Sequence, residues 1–332
     1  MKVLITGGAG FIGSAVALAC LDHDLDVIVL DDLSAGVDGA PDGASAYIGD
    51  FADPVLLDRI VHEHPDIDAV VHCAAKTVVP ESVADPLQYY ATNVGKTIGL
   101  LAELRRHGIE RFVFSSSASV YRAEDGTGID ESAPIEPGSP YAATKAMTER
   151  MLSDLAAAGQ ARVIALRYFN PIGADPVGRT GLRNPDPSHV VGKLIGARDR
   201  GESFVITGVD WPTRDGSGIR DFVHVWDLAL AHVRAVERFD GIATPAVPYR
   251  VMNIGVGEGI TVRELAAAFQ RVVGDGLVVV EGDRRPGDSA GGFAVVDRAH
   301  ELLGWRAERT VEDGLRDSLA WAAKLRELNA AS

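Results

Sequence analysis

The chain has 332 residues, 46% hydrophobic and 24% charged, which suits one large globular domain or two that pack closely. Its formal net charge of -15 argues against general binding to nucleic acid or to an anionic membrane surface. No apolar run reaches transmembrane length, and the two cysteines, Cys20 and Cys73, argue against a disulfide framework or zinc site and suit a reducing cytoplasm.

Taken in chain order, the first half alternates between short β-branched runs and helical patterns. The runs are 2–6, 26–31, 44–50, 68–74, 111–117 and 161–169, with helices expected over 11–22, 54–64, 85–107 and 141–158. Near-continuous apolar strands alternating with helices predict a buried parallel sheet covered on both faces, the doubly wound dinucleotide-binding fold. After Asn170 the style changes. Residues 171–189 are rich in Pro, Gly and Asp. Helices near 189–201, 227–238 and 261–273 and strands near 203–206, 250–255 and 277–281 precede an amphipathic end over 311–327. The expected division is a Rossmann domain over 1–172 and a smaller mixed α/β substrate region over 173–332, some of whose elements pack back onto the first.

Gly7, Gly10 and Gly13 fall between the first strand and the first helix. Such a turn needs glycine for tight geometry, for close approach to a pyrophosphate and for helix–sheet packing, and the helix N-terminus then faces the anion. Asp31 ends the next strand, where a carboxylate accepts hydrogen bonds from an adenosine ribose and repels a 2′-phosphate. The expected cofactor is therefore NAD rather than NADP.

The stretch SPYAATKAMTER places Tyr141 one helical turn before Lys145. Alone the pair is equally a solvated face. Ser115, Ser116 and Ser117 end a parallel strand, where ligands of such folds bind. A serine, a tyrosine and a lysine so placed can oxidise a secondary alcohol. The tyrosine takes the hydroxyl proton, and a nearby cation lowers its pKa from about 10. Ser117 hydrogen-bonds the reacting oxygen. No cluster has metal-ligand spacing, and His224 reads as a structural histidine.

These motifs, with RYFNPIGA, VHCAAKTVVPES, ATNVGKT, DGSGIRDFVHVWDLA, MNIGVGEGITV and EGDRRPGD, resemble the extended short-chain dehydrogenase/reductase family, and within it the UDP-glucose (UDP-galactose) 4-epimerases, over nearly the whole chain. The resemblance implies hydride removal from carbon 4 of a UDP-hexose, a transient 4-keto sugar and return of the hydride to the other face. It makes Ser117, Tyr141 and Lys145 catalytic. It assigns the cofactor to Gly7, Gly10, Phe11, Ile12, Gly13, Asp31, Asp32, Leu33, Asp50, Phe51, Ala74, Ala75, Lys76, Asn93, Ser115, Tyr141, Lys145 and Phe169. The substrate is assigned to Ser117, Tyr141, Asn170, His189, Val190, Thr207, Arg220, Arg285, Asp288 and Gly292, with the two arginines on the diphosphate. A homodimer through helices 85–107 and 141–158 is also implied.

Two rivals differ in their residues. A 4,6-dehydratase needs an acid pair before Val120-Tyr121, where this chain has Ala118 and Ser119. A non-catalytic NAD-sensing protein tends to lose the Tyr–Lys pair, which is kept. Departures from the family pattern are Arg122 in place of glycine, Ser188-His189 in place of two asparagines, and Thr77. Gly292 stands where a bulky residue is associated with excluding N-acetylated sugars. Its missing side chain predicts space beside carbon 2, and so turnover of UDP-N-acetylhexosamines as an alternative or additional activity.

Overall fold

A computed structural model describes residues 1–34, 39–122, 126–184, 189–274, 276–284 and 289–331. The first half runs β1 (Lys2–Thr6), α1 (Phe11–Asp22), β2 (Asp26–Asp31), β3 (Ser45–Ile48), α2 (Pro54–Glu63), β4 (Ile67–His72), α3 (Val79–Ala84) and α4 (Pro86–Tyr89). A π-helical stretch, Tyr90–Lys96, leads into α5 (Thr97–Arg106), then β5 (Arg111–Ser117), a 3₁₀ turn (Ala118–Val120), β6 (Gly128–Ile129), α6 (Pro140–Ala157) and β7 (Arg162–Tyr168).

The second half runs β8 (Asn170–Ile172), α7 (Val190–Arg200), β9 (Phe204–Thr207), β10 (Ile219–Arg220), β11 (Phe222–His224), α8 (Val225–Glu237) and α9 (Phe239–Ile242). It ends with β12 (Tyr249–Ile254), β13 (Ile260–Thr261), α10 (Val262–Val273), β14 (Val279–Gly282), β15 (Gly291–Ala294), α11 (Asp297–Leu303) and α12 (Val311–Ala331).

Seven strands form one parallel sheet in the order β12-β7-β5-β4-β1-β2-β3. The apolar runs read as they do because both faces are covered. In β1, Val3 and Ile5 enter the core shared with α1 and α8, whereas Leu4 enters the opposite core with Leu57 of α2 and Leu100 of α5. The strand order reverses beside β1, which puts the glycine turn at the point where such sheets bind ligands.

The helix expected over 85–107 is present but not uniform. Pro86 begins α4, and the π-helical stretch interrupts the chain before α5. Asn93 lies in that stretch, and its carbonyl oxygen accepts from the hydroxyls of Thr97 and Thr148. Insertions of this kind recur at functional sites.

The smaller body holds β10, β13, β15 and β6 in one sheet, and the pairs β8–β11 and β9–β14. Its core gathers Val191 and Leu194 of α7, Leu265 and Phe269 of α10, and Leu315 of α12. Residues 173–332 are shared between the two bodies, because β12 adds to the edge of the large sheet and α8 covers α1. Conversely β6, from the first half, completes the small sheet. The expected long elements are all found, β1, α1, β2 and β5 at the expected bounds and the others with shifted ends. The short strands β6, β8, β10, β11, β13 and β15 had no expectation, being too short to carry a period. Among the described residues no helix is long and apolar enough to cross a membrane.

Candidate functional site

The glycines of the turn are required by the crowding of neighbouring backbone. Gly7 has φ +72, and a side chain there would start 2.6 Å from the backbone nitrogen of Ala74. At Gly13 it would start 2.0 Å from the carbonyl oxygen of Gly7. Gly10 caps α1 with no side-chain hydrogen bond, so the first N–H groups of α1 face outward to an anion, next to Phe11 and Ile12. Asp31 is anchored rather than loose. Its Oδ2 accepts from the Ala9 N–H at 2.9 Å and its Oδ1 from the Leu33 N–H at 2.8 Å. That leaves lone pairs of each oxygen for ribose hydroxyls. Asp32 accepts from the Ser34 N–H, and Leu33 takes φ 56 to make the turn.

Two further loops complete this side. Asp50 pairs with Lys96 at 2.6 Å, and Phe51 packs edge-on to His72 at 5.2 Å. Ala74, Ala75 and Lys76 follow β4. Asn93 accepts from the Lys76 N–H at 2.8 Å and donates to the Lys76 carbonyl at 2.9 Å and to Thr144 Oγ1 at 3.0 Å. Both its amide hydrogens are thus spent inside the protein, and they fix the loop at Lys76.

At the end of β5, Ser117 Oγ accepts from the Ser119 N–H at 3.2 Å and lies near enough to the Tyr141 phenol to favour its ionised form. The helix bearing Tyr141 starts sharply. Ser139 accepts from the Ala142 N–H, and Pro140 fills the first position. The expected lowering of the phenol is not produced by the protein alone. Burial pushes Tyr141 up to about 12, opposed only by the nearby Ser117. The Lys145 ammonium donates to the Ser115 carbonyl at 2.8 Å and lies 4.8 Å over the Phe114 ring. Burial pushes Lys145 down to about 8, while Cys73 and Glu149 act the other way.

Ser115, expected among the cofactor contacts, has no exposed surface. Its hydroxyl lies 3.1 Å from Cys73 Sγ and 2.9 Å from His232 Nε2, so its contribution is the carbonyl that holds Lys145. Phe169 is half-buried against Val120, Tyr121 and Ile129. Asn170 is exposed, and its N–H donates to the Asp221 carbonyl at 2.9 Å.

In the smaller body, where the substrate contacts were expected, the Arg220 guanidinium donates to the carbonyl of Ile219 at 2.7 Å and reaches those of Ser289 and Ala290. Gly291 makes room for it, since a side chain there would start 2.0 Å from Nη1. His189 caps α7 by accepting from the Gly192 N–H at 3.2 Å through Nδ1. Burial holds its pKa down to about 4, so the proton sits on Nε2, which is buried without a hydrogen-bond partner among the described residues. Val190 packs on the small core, and Thr207 ends β9. Arg285 and Asp288 lie outside the described residues.

Gly292 is crowded by its own neighbours. A side chain there would start 2.7 Å from Ile129 Cδ1 and 2.9 Å from the Thr127 carbonyl oxygen. The position therefore packs against the loop and strand carrying Thr127 and Ile129. Its bareness lets β15 approach β6, which Thr127 and Ile129 otherwise forbid.

The sequence reading missed two residues beneath the site. Glu149, four residues after Lys145, and Arg167, at the end of β7, form a buried ion pair at 2.5 Å. The spacing of Tyr141, Lys145 and Glu149 was the available signal. Asp221 was also missed. It is buried and accepts from the N–H groups of Val256, Gly257 and Ala294, and burial pushes it up to about 6 despite those bonds. His224 caps α8 and lies 3.1 Å from Asp317, a structural placement.

The NAD dependent epimerase/dehydratase family matches residues 3–255. A UDP-glucose 4-epimerase of Azospirillum brasilense is 42% identical over 98% of this chain and 93% of its own, and one from Bacillus subtilis (strain 168) is 39% identical over 97% and 96%. The fold is similar to a solved UDP-glucose-4-epimerase of Stenotrophomonas maltophila with bound NAD and formylated UDP-arabinopyranose. There the TM-score is 0.92 and the identity 34%, over 100% of both chains. A Bifidobacterium longum UDP-glucose 4-epimerase in complex with NAD+ and UDP gives a TM-score of 0.87 at 33% identity, over 98% of both chains.

Proposed function

This chain belongs to the NAD dependent epimerase/dehydratase family, and on that premise we propose that it interconverts UDP-glucose and UDP-galactose with a resident NAD. The observation that carries the reading is the convergence of Ser117, Tyr141 and Lys145 at the end of β5, in the sheet whose order reverses beside the glycine turn. Bound NAD supplies the hydride acceptor and donor, and its positive ring favours the ionised phenol.

Tyr141 then takes the proton from the sugar 4-hydroxyl and returns it at the second hydride transfer. Ser117 Oγ hydrogen-bonds the same oxygen and fixes its distance from the phenol. Lys145, held by the Ser115 carbonyl, keeps a positive charge one turn below the base. Arg220 and the Nε2–H of His189 hold the nucleotide end, remote from the chemistry. Binding energy placed there leaves the hexose free to turn between the two hydride steps.

The same reading carries a homodimer and a cytoplasmic location. Exposed Val83, Leu87, Ile98 and Met147 lie on the adjoining helices α3 to α6 and supply an apolar patch for a second copy. Two free cysteines suit a reducing compartment. Nothing in the geometry favours the N-acetylhexosamine alternative, since Gly292 is filled from behind by Ile129.

The test is turnover of a UDP-sugar panel with separation of products, joined to release of the nucleotide from denatured protein. Interconversion of the two plain hexoses without added cofactor, and NAD near one per chain, is the expected result. Release of NADP, or conversion of no UDP-hexose, overturns the reading.

A further inference from the structure

Helix α6 meets the end of β5 in three rungs spaced four residues apart. Tyr141 lies beside Ser117, which favours its ionised form, Lys145 donates to the Ser115 carbonyl at 2.8 Å, and Glu149 accepts from Ser116 Oγ at 2.5 Å. The first two rungs are the proton-transfer machinery. The third is a carboxylate that no step of the reaction uses.

Glu149 and Arg167 are only 6% and 5% exposed, which makes the pair costly to bury. The geometry is fully satisfied. Arg167 donates to Glu149 from Nε at 2.9 Å and from Nη2 at 2.5 Å, and Tyr249 donates to the same carboxylate at 3.3 Å. From Nη1, Arg167 donates to the Tyr121 hydroxyl at 2.9 Å, which donates in turn to Asn253 Oδ1 at 2.6 Å. Asn253 donates to the Ile129 carbonyl at 2.9 Å. One connected set of bonds therefore ties β5, α6, β7, the loop after β5, β12 and β6. A buried ion pair is weak as a source of stability, because apolar residues of similar volume often serve as well. Its position gives the better reason for the charges.

We propose that Glu149 and Arg167 are a positioning pair for proton transfer: Glu149 fixes the strand end that carries Ser117 through Ser116, and Arg167 locks Glu149 in place against Tyr121. The carboxylate also favours the charged form of Lys145, opposing its burial. The pair touches neither sugar nor cofactor and acts through the two rungs above it. The proposal rests on the epimerase reading.

The experiment measures kcat per bound NAD, KM for UDP-galactose, and melting temperature. It covers the parent, Glu149→Gln, Arg167→Met and the neutral double variant Glu149→Gln/Arg167→Met. In Glu149→Gln, kcat falls by about 10²-fold with KM and NAD content unchanged, as expected from misplacement rather than lost binding. The single variants lose melting temperature, because each leaves a buried charge alone. The double variant regains most of it and keeps the low kcat. A double variant that regains the parent's kcat together with its stability makes the pair merely structural and overturns the proposal. So does a Glu149→Gln enzyme with the parent's kcat, or a double variant that cannot fold. If the parent itself converts no UDP-hexose, the functional reading has failed first and the proposal falls with it.

Discussion

The two sides of the site are built in different ways. Around Tyr141 the frame is long: β5 has seven residues, α6 eighteen, and β5 pairs over its whole length with β7. On the sugar side β6 and β10 have two residues each and β15 four. Those short strands come from separate parts of the chain and are held by point fastenings. Asp221 takes three backbone N–H groups, and Arg220 nests against the carbonyls of residues 219, 289 and 290. A long parallel strand fixes its end by averaging many hydrogen bonds. A two-residue strand depends on each single one. The difference suits a catalyst whose proton-transfer groups stay fixed while its substrate enters and leaves.

The largest effect is expected at Tyr141. Tyr141→Phe removes the base and leaves the fold and NAD content intact, with kcat lower by about 10²–10⁴. Loss of NAD together with activity would break the comparison, since the catalytic side would then not be independent of its own reacting group. Arg220→Ala acts on the other side. It is expected to weaken UDP-sugar binding by about 1.5–3 kcal/mol, with NAD retention unchanged. Equal binding of UDP by parent and variant, measured by titration calorimetry, places the diphosphate elsewhere.

The long frame was legible because its signals are repeated. KVLIT, DVIVLD and RFVFSSS each become the strand expected of them, and the trio sits at the predicted strand end and helix start. The sugar side was legible residue by residue and not as structure. Arg220 was expected there, but Ile219–Arg220 is too short for any alternation to show. Glu149 escapes a reading of the sequence because its partner, Arg167, is 18 residues away and meets it only through the β5–α6–β7 packing. At Gly292 the surroundings were hidden for a related reason. Motif position says what a side chain would be and leaves open what already stands behind it, which in this case is Ile129.

A pH profile sharpens the catalytic side. Lys145 is pushed down to about 8 from 10.5 by burial. A cation that supports the base is lost as pH rises through that value, so kcat is expected to fall about tenfold per unit above it. The stability linked to this lysine runs the other way. Between about 8 and 10.5 the unfolded chain binds more protons than the folded one, so this contribution rises with pH. Comparing the slopes of parent and Lys145→Met unfolding against pH isolates it. A parent kcat that stays flat to about pH 10 removes Lys145's charge from the mechanism.

The smallest effect is expected at Gly292, and it bears on how closely the short strands are fitted. The shortest contacts at the position are Ile129 Cδ1 at 2.7 Å and the Thr127 carbonyl oxygen at 2.9 Å from where a side chain would begin, with Ile129 Cγ1 next at 3.2 Å. The first is the far end of a flexible side chain and the second is backbone. Gly292→Ala is therefore expected to cost about 1–3 kcal/mol by overpacking. Ile129→Val deletes Cδ1 and alone costs about 0.5–1.5 kcal/mol. Once Ile129→Val is in place, Gly292→Ala loses its shortest contact and keeps those with the carbonyl and Cγ1, so the double variant is less destabilised than the sum of the two singles, with coupling of about 1 kcal/mol. Denaturant unfolding of the four proteins gives the cycle. Additive losses mean that Ile129 does not fill the space behind Gly292. The way is then open again for a larger group at carbon 2 of the sugar, and kcat/KM for UDP-N-acetylglucosamine in the parent decides whether one enters.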